Sequence, residues 1–247
     1  MIYYVYDGSF QGLLTAIYEA YYRETKPDDI VKADNPSANL FAELIDIKTD
    51  DNKADKVYQA AKGKISTWAL RHVFYAYLSE LDGVGNLIYR YLQLGFKVGK
   101  DIDRYLTDDR VLRIHQISRK VGAERHRLLG LIRFSKLNNG VYYASIEPDY
   151  NIVGLVAPHF AKRLSDQNWV IHDLKRGLAA LYNQKEWVVS KLDSDKNFIL
   201  SEEEQEYQNM WQGYFESVSI KERANPRQQR QFMPARYWKH LTEMNEK

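Results

Sequence analysis

The sequence contains no cysteine. Disulfides, cysteine-ligated zinc, a cysteine nucleophile and a cysteine-held iron–sulfur cluster are therefore excluded within it. No stretch is long and apolar enough to span a bilayer. The first residues, Met1-Ile2-Tyr3-Tyr4-Val5-Tyr6-Asp7, lack the basic lead and apolar run of a secretion signal, so a cytoplasmic protein without membrane association is expected. There is no Gly-x-Ser-x-Gly elbow, no P-loop and no dinucleotide fingerprint, which leaves nucleotide-hydrolase and dehydrogenase readings without support. No His-Glu-x-x-His or similar spacing occurs, so neither a metal site nor a cofactor is expected. The net charge of +2 is too small to argue for a polyanionic partner by itself.

What is present is a chain of 247 residues with an ordinary apolar share and nineteen tyrosines. Tyrosine packs its ring and keeps a polar tip, which suits a core rim or a wet binding surface. The pattern predicts an α+β fold, an antiparallel sheet packed with a mainly helical region in one domain spanning 1–247. The helical region covers about 49–130, the sheet about 131–191 and a basic C-terminal arm about 218–247.

Taken in order, Ile2 to Tyr6 reads as a strand, and Asp7-Gly8-Ser9 as a turn whose Asp or Ser caps a helix with Phe10, Leu13, Leu14, Ile17 and Tyr21 at helical spacing. Such a turn either holds an anion on the helix amides or is purely structural. Lys26 to Asn39 reads as a loop and Phe41 to Lys48 as a strand. Caps at Thr49-Asp50-Asp51, Ser66, Asp82 and Asp108 start four helices. Leu131–Leu137 and Val141–Glu147 form a hairpin around Asn138-Asn139-Gly140, since Asn-Gly supplies positive φ angles. A helical crossover interrupted by Pro158 follows. Three short strands (169–173, 178–182 and 187–191) then have connections too short for parallel pairing. Ser201-Glu202-Glu203-Glu204 has the form of a capping box for a last helix.

Two regions carry candidate chemistry. The helix after Asp108 has an apolar seam of Ile114, Ile117, Val121 and Leu128, with basic residues beside it and Glu124 between seam and stripe. It is either a solvated basic helix or one that presents Arg119 and Arg127 to phosphates. From Lys221 to Lys239 there are six Lys or Arg and one acid, mixed with Gln and aromatic residues. Lys221, Arg223, Arg227, Arg230 and Arg236 can meet phosphates, and Trp238, with Phe232 and Tyr237, can stack on unpaired bases. The alternative is an arm that packs its aromatic rings on the body. Glu124, His126, His159 and His172 are candidate acid–base groups or, in an enzyme reading, metal ligands, set against hydrogen-bonding roles in structure. His172 and Asp173 are adjacent on a strand and so point to opposite faces.

Several segments together resemble one bacterial family. They are Tyr6-Asp7-Gly8-Ser9-Phe10, Glu124-Arg125-His126-Arg127, Ile146-Glu147-Pro148-Asp149-Tyr150-Asn151, Ala157-Pro158-His159-Phe160, Ile171-His172-Asp173 and Ile220-Lys221-Glu222-Arg223-Ala224-Asn225-Pro226-Arg227. The family is a domain of unknown function described as a probable DNA metabolism protein. The resemblance implies a radical-SAM partner, DNA repair or modification as the setting, and relatives fused to uracil-DNA glycosylase-like domains. Arg125 stands where the family is expected to carry alanine, which makes the helix end more basic. With no cysteine here, a radical-SAM cluster would have to be held by the partner. The expected function is nucleic-acid binding in support of that partner. The rival readings are an enzyme acting directly on nucleic acid and a protein–protein adaptor without DNA contact.

Overall fold

The computed structural model describes residues 1–34, 42–193, 198–220 and 225–244. The fold is α+β, and the chain divides into two compact units, Met1–Gly122 and Ala123–Lys247.

In the first unit, β1 (Ile2–Tyr6) leads into α1 (Phe10–Tyr22), then β2 (Asp29–Lys32) and β3 (Glu43–Asp46). The three strands form a parallel sheet of order β2-β1-β3. β2 falls in the stretch expected to be a loop. Ile30 and Val31 are its buried residues, and the register of β1 supplies the pairing that four residues could not hold alone. The rest of the unit is helical: α2 (Asp51–Lys64), α3 (Thr67–Leu78), α4 (Val84–Val98), a 3-10 helix (Gly99–Arg104) and the start of α5 (Asp109–Leu131). Local chemistry starts α1, α2, α3 and α5 where the sequence indicates, whereas the cap expected at Asp82 falls on Gly83, at a φ of 70° and with no side-chain cap bond. Ser9 accepts from the Gly12 amide, Asp50 from Asn52 and Lys53, Ser66 from Ala69 and Asp108 from Arg110. Tyr4, Leu13, Ile17, Val73, Ile88, Tyr91, Leu92 and Ile114 fill the core between sheet and helices.

The turn after β1 makes its own anion contact. The Asp7 carboxylate accepts from the Ser9 amide and hydroxyl and from Thr49 Oγ1. These bonds outweigh the desolvation that opposes them and hold its pKa below the usual value. A β-carbon at Gly12 would lie 2.2 Å from Asp7 Oδ1, so glycine is what lets the carboxylate sit there.

The second unit carries a five-stranded sheet of order β4-β5-β6-β7-β8. Its strands are β4 (Ser135–Lys136), β5 (Tyr142–Ile146), β6 (Asn168–Asp173), β7 (Leu178–Asn183) and β8 (Trp187–Lys191). The sheet is mixed, which corrects the antiparallel expectation. Between β5 and β6 runs α6 (Val153–Arg163), and this crossover makes the pair parallel, whereas tight turns keep β6, β7 and β8 antiparallel. The β4–β5 hairpin forms, with Gly140 at a φ of 80°. Its first strand is short because the preceding helix continues to Leu131. All five residues of β8 are exposed, Trp187, Val188 and Val189 among them. Among the described residues no strand pairs with its outer edge.

The unit ends with α7 (Glu204–Val218), α8 (Pro226–Phe232) and two 3-10 turns, Ala235–His240 and Thr242–Met244. The Ser201 capping box does not form. The Ser201 hydroxyl is buried without a partner, and Glu204 instead accepts from the Lys136 amide of β4 and from Gln208. That long-range bond to a strand edge replaces the local one.

Candidate nucleic-acid interface and the loop it is built around

In the second unit, polar side chains from four places converge on the loop Glu147-Pro148-Asp149-Tyr150. Glu124, on α5, is buried, with 2% of its surface exposed. Its Oε1 accepts from the Asp149 amide at 2.8 Å and from the Tyr237 hydroxyl at 2.5 Å, and its Oε2 from the Tyr150 amide at 3.0 Å. Burial, then the neighbouring Glu124 carboxylate, push the Tyr237 phenol well above its usual pKa, so it stays a donor. Arg236 pairs with Asp149 at 2.9 Å and donates to the Tyr237 oxygen. From the β6–β7 turn, Arg176 donates to the Pro148 and Asp149 carbonyls and pairs with Asp173 at 3.0 Å. Lys239 and His240 meet Glu147.

This arrangement assigns places to the residues singled out in the sequence. Glu124 is saturated by donors. His172 is fully buried on central strand β6. Its Nε2 faces the Leu192 carbonyl at 3.1 Å and so carries the proton, which leaves Nδ1 to accept from the Tyr143 hydroxyl at 3.0 Å. His126 is exposed. His159 lies on α6 beside Phe160, with Nε2 buried and unpartnered. Among the described residues, no hydrogen bond or ion pair joins any two of these four. Arg119 is exposed on the first unit, and Arg127 is half-buried on the second. Arg125 donates to the Leu155 carbonyl of α6 at 2.9 Å.

The C-terminal segment is only partly an arm. Tyr237 and Leu241 are buried, and Glu243 is held by Arg133 and by the Trp211 indole. Arg236 is engaged by Asp149, and the Trp238 indole donates to the Met233 carbonyl. Arg227 and Arg230 on α8 are exposed. Lys221 and Arg223 lie outside the described residues.

A groove of about 780 Å³ opens in the same unit, and the sequence reading did not assemble it. Arg133, Lys136 and Arg163 line it together with Phe134, Tyr142, Tyr207 and Trp211. Arg133 lies 5.6 Å from the Trp211 ring centroid while bonded to Glu243, and Lys136 pairs with Glu203. Arg163, at the end of α6, is exposed and has no carboxylate partner among the described residues. Tyr207 and Trp211 are 58% and 40% exposed, and Arg133 already lies over one face of the Trp211 ring. The signal in the sequence was Tyr207 and Trp211 at one-turn spacing on α7. Their neighbours Arg133 and Arg163 come from distant segments.

Fully buried His172 and largely covered His240 bear on the pH dependence of this unit. Burial holds the pKa of His172 and of His240 below the usual histidine value. As pH falls through about 6.5 the unfolded chain takes up protons first, so stability is lost on acidification. The expected result is a thermal midpoint several degrees lower at pH 5.5 than at pH 7.5, with a flatter dependence in His172→Gln. A dependence unchanged by that substitution would show that His172 does not contribute.

The fold and groove define a two-unit α+β protein, with no helix long and apolar enough to cross a membrane among the described residues. The chain matches the domain of unknown function DUF4130 over residues 82–243 and belongs to that family. No curated protein matches it.

Proposed function

We propose that the chain is a DNA-metabolism protein that binds nucleic acid, working in repair or modification beside a radical-SAM partner. The observation that carries the nucleic-acid reading is the groove, where exposed Trp211 and Tyr207 stand next to Arg163, Arg133 and Lys136. Unpaired bases stack on aromatic faces at about 1–3 kcal/mol each, and neighbouring cations follow the backbone. Arg227 and Arg230 add exposed charge on α8. The radical-SAM partner and the repair setting rest on the family resemblance, and the absence of cysteine assigns any cluster to the partner.

Fluorescence anisotropy with labelled single-stranded and duplex DNA tests this over salt from about 50 to 200 mM. Trp211→Ala is expected to weaken single-strand binding about tenfold. Changing Arg163, Arg227 and Arg230 to alanine should reduce the slope of log affinity against log salt by about two. Absence of binding at low salt, or equal binding by all variants, would refute the proposal.

A second reading has its own observation. Met210, Tyr214 and Val218 are exposed along α7 at helical spacing, an apolar face suited to a protein partner. Salt-insensitive association that Met210→Asp and Val218→Asp abolish, with no DNA binding, would make the chain an adaptor.

A further inference from the structure

The first unit brings together three side chains that no motif spacing announces. His72 comes from α3, Asp103 from the 3-10 helix and His115 from α5. One ligand atom from each lies within 4.8 Å of the other two, and all three residues are half-buried. His115 Nε2 is 2.9 Å from Asp103 Oδ1, and the two imidazoles stack with centroids 4.2 Å apart.

We propose that His72, Asp103 and His115 form a binding site for a divalent first-row transition-metal ion. The donor chemistry selects the ion. Two imidazoles and a carboxylate suit zinc, iron, cobalt or manganese, whereas calcium and magnesium take oxygen ligands. Two of the three ligands are also oriented from outside the cluster. The Tyr91 hydroxyl donates to Asp103 Oδ1 at 2.9 Å, which turns the carboxylate. His72 Nδ1 is 2.9 Å from the buried Ser118 hydroxyl, which leaves its Nε2 as the ligand atom. Arg71, adjacent to His72 in the chain, lies over the rings of Trp68 and Tyr75.

The distances fit an ion with a small closure. Ligands about 2.0–2.2 Å from a metal stand roughly 3.3 Å from one another. Asp103 and His115 are already near that separation at 2.9 Å, and His72, within 4.8 Å of both, has at most about 1.5 Å to close. A plain hydrogen-bonded cluster accounts for the Asp103–His115 pair. It gives no reason for a second imidazole stacked against the first and oriented by its own serine. Three protein ligands leave coordination positions open to water or a substrate atom. The site departs from the sequence-based expectation of no metal, and it stands independently of the nucleic-acid proposal.

The test uses untagged full-length protein stripped with a chelator, titrated with Zn²⁺ by calorimetry and with Co²⁺ by visible absorption and proton NMR. One equivalent is expected to bind, with hyperfine-shifted imidazole ring protons from two histidines. His115→Ala and His72→Gln should each weaken affinity at least tenfold, and each should remove one set of shifted signals. Failure to take up a saturable equivalent would overturn the proposal, as would unchanged affinity in both variants. If circular dichroism shows that the variants misfold, the wild-type spectrum decides: bound Co²⁺ without two shifted imidazoles also overturns it.

Discussion

Glu124→Ala destabilises the second unit by about 3–5 kcal/mol. The side chain is buried and accepts from two backbone amides and the Tyr237 hydroxyl. Removing it leaves one buried donor, the Tyr237 hydroxyl, and two part-buried amides without that acceptor, each costing up to about 1–3 kcal/mol, with partial relaxation through water at the amides. Glu124→Gln keeps one acceptor oxygen but turns an NH₂ group towards one of these donors, so its cost is about 1–3 kcal/mol. Urea melts followed by tryptophan fluorescence measure both. A loss below about 1 kcal/mol for the alanine variant would mean that the Glu147–Tyr150 loop is held without Glu124. The Tyr237 hydroxyl gives an independent check. Tyr237→Phe removes one donor and leaves Glu124 its two amide donors, so it should cost less than Glu124→Ala.

Arg176→Ala carries the second large effect, about 3–5 kcal/mol at neutral pH. Asp173 is fully buried, and Arg176 is its ion-pair partner at 3.0 Å. Desolvation already raises the Asp173 pKa, and Arg176 opposes that rise. Without the guanidinium the folded-state value climbs further. A group whose folded pKa lies above its unfolded value contributes stability at low pH, and that contribution is lost as pH rises through the folded value. The deficit of the variant against the wild type should therefore grow from pH 5 to pH 8. A deficit independent of pH would show that Arg176 acts through its bonds to the Pro148 and Asp149 carbonyls alone. Because Glu124 and Arg176 grip the same loop from two sides, the double variant should be less than additive.

The same loop shows where sequence reading succeeds and where it stops. Ser66, Asp50 and Asp108 cap helices through bonds to residues two or three positions on, so their roles are written in adjacent residues. Asn139-Gly140 likewise carries its turn locally. Glu124 could be placed on a helix, but its partners lie 25, 26 and 113 residues away. The Ser201 pattern misled because Glu204 has a better bond to β4 than to its own helix start. β2 is four residues long with only Ile30 and Val31 apolar, between Asp29 and Lys32, and only its pairing with β1 makes it a strand. The crossover helix that makes β5 and β6 parallel is legible in the sequence, but the tight turns after Asp173 fix only the antiparallel pairing of β6, β7 and β8 and say nothing of β5. The groove and the His72–Asp103–His115 cluster have no short-range signature, since each draws on segments far apart in the chain.

The two ends of the five-stranded sheet are unlike. β4 is two residues long, its Lys136 amide is taken by Glu204, and Leu137 bridges to Leu200. At the other end β8 leaves its outer backbone groups facing away from the sheet, beside exposed Trp187, Val188 and Val189. Growth by strand addition is therefore polar: one end is stoppered and the other is a template. Lys191, at the last position of β8, is the charge that blunts self-pairing there. A crowded or partly unfolded preparation of this chain would lengthen its sheet in one direction only, from β8 outward.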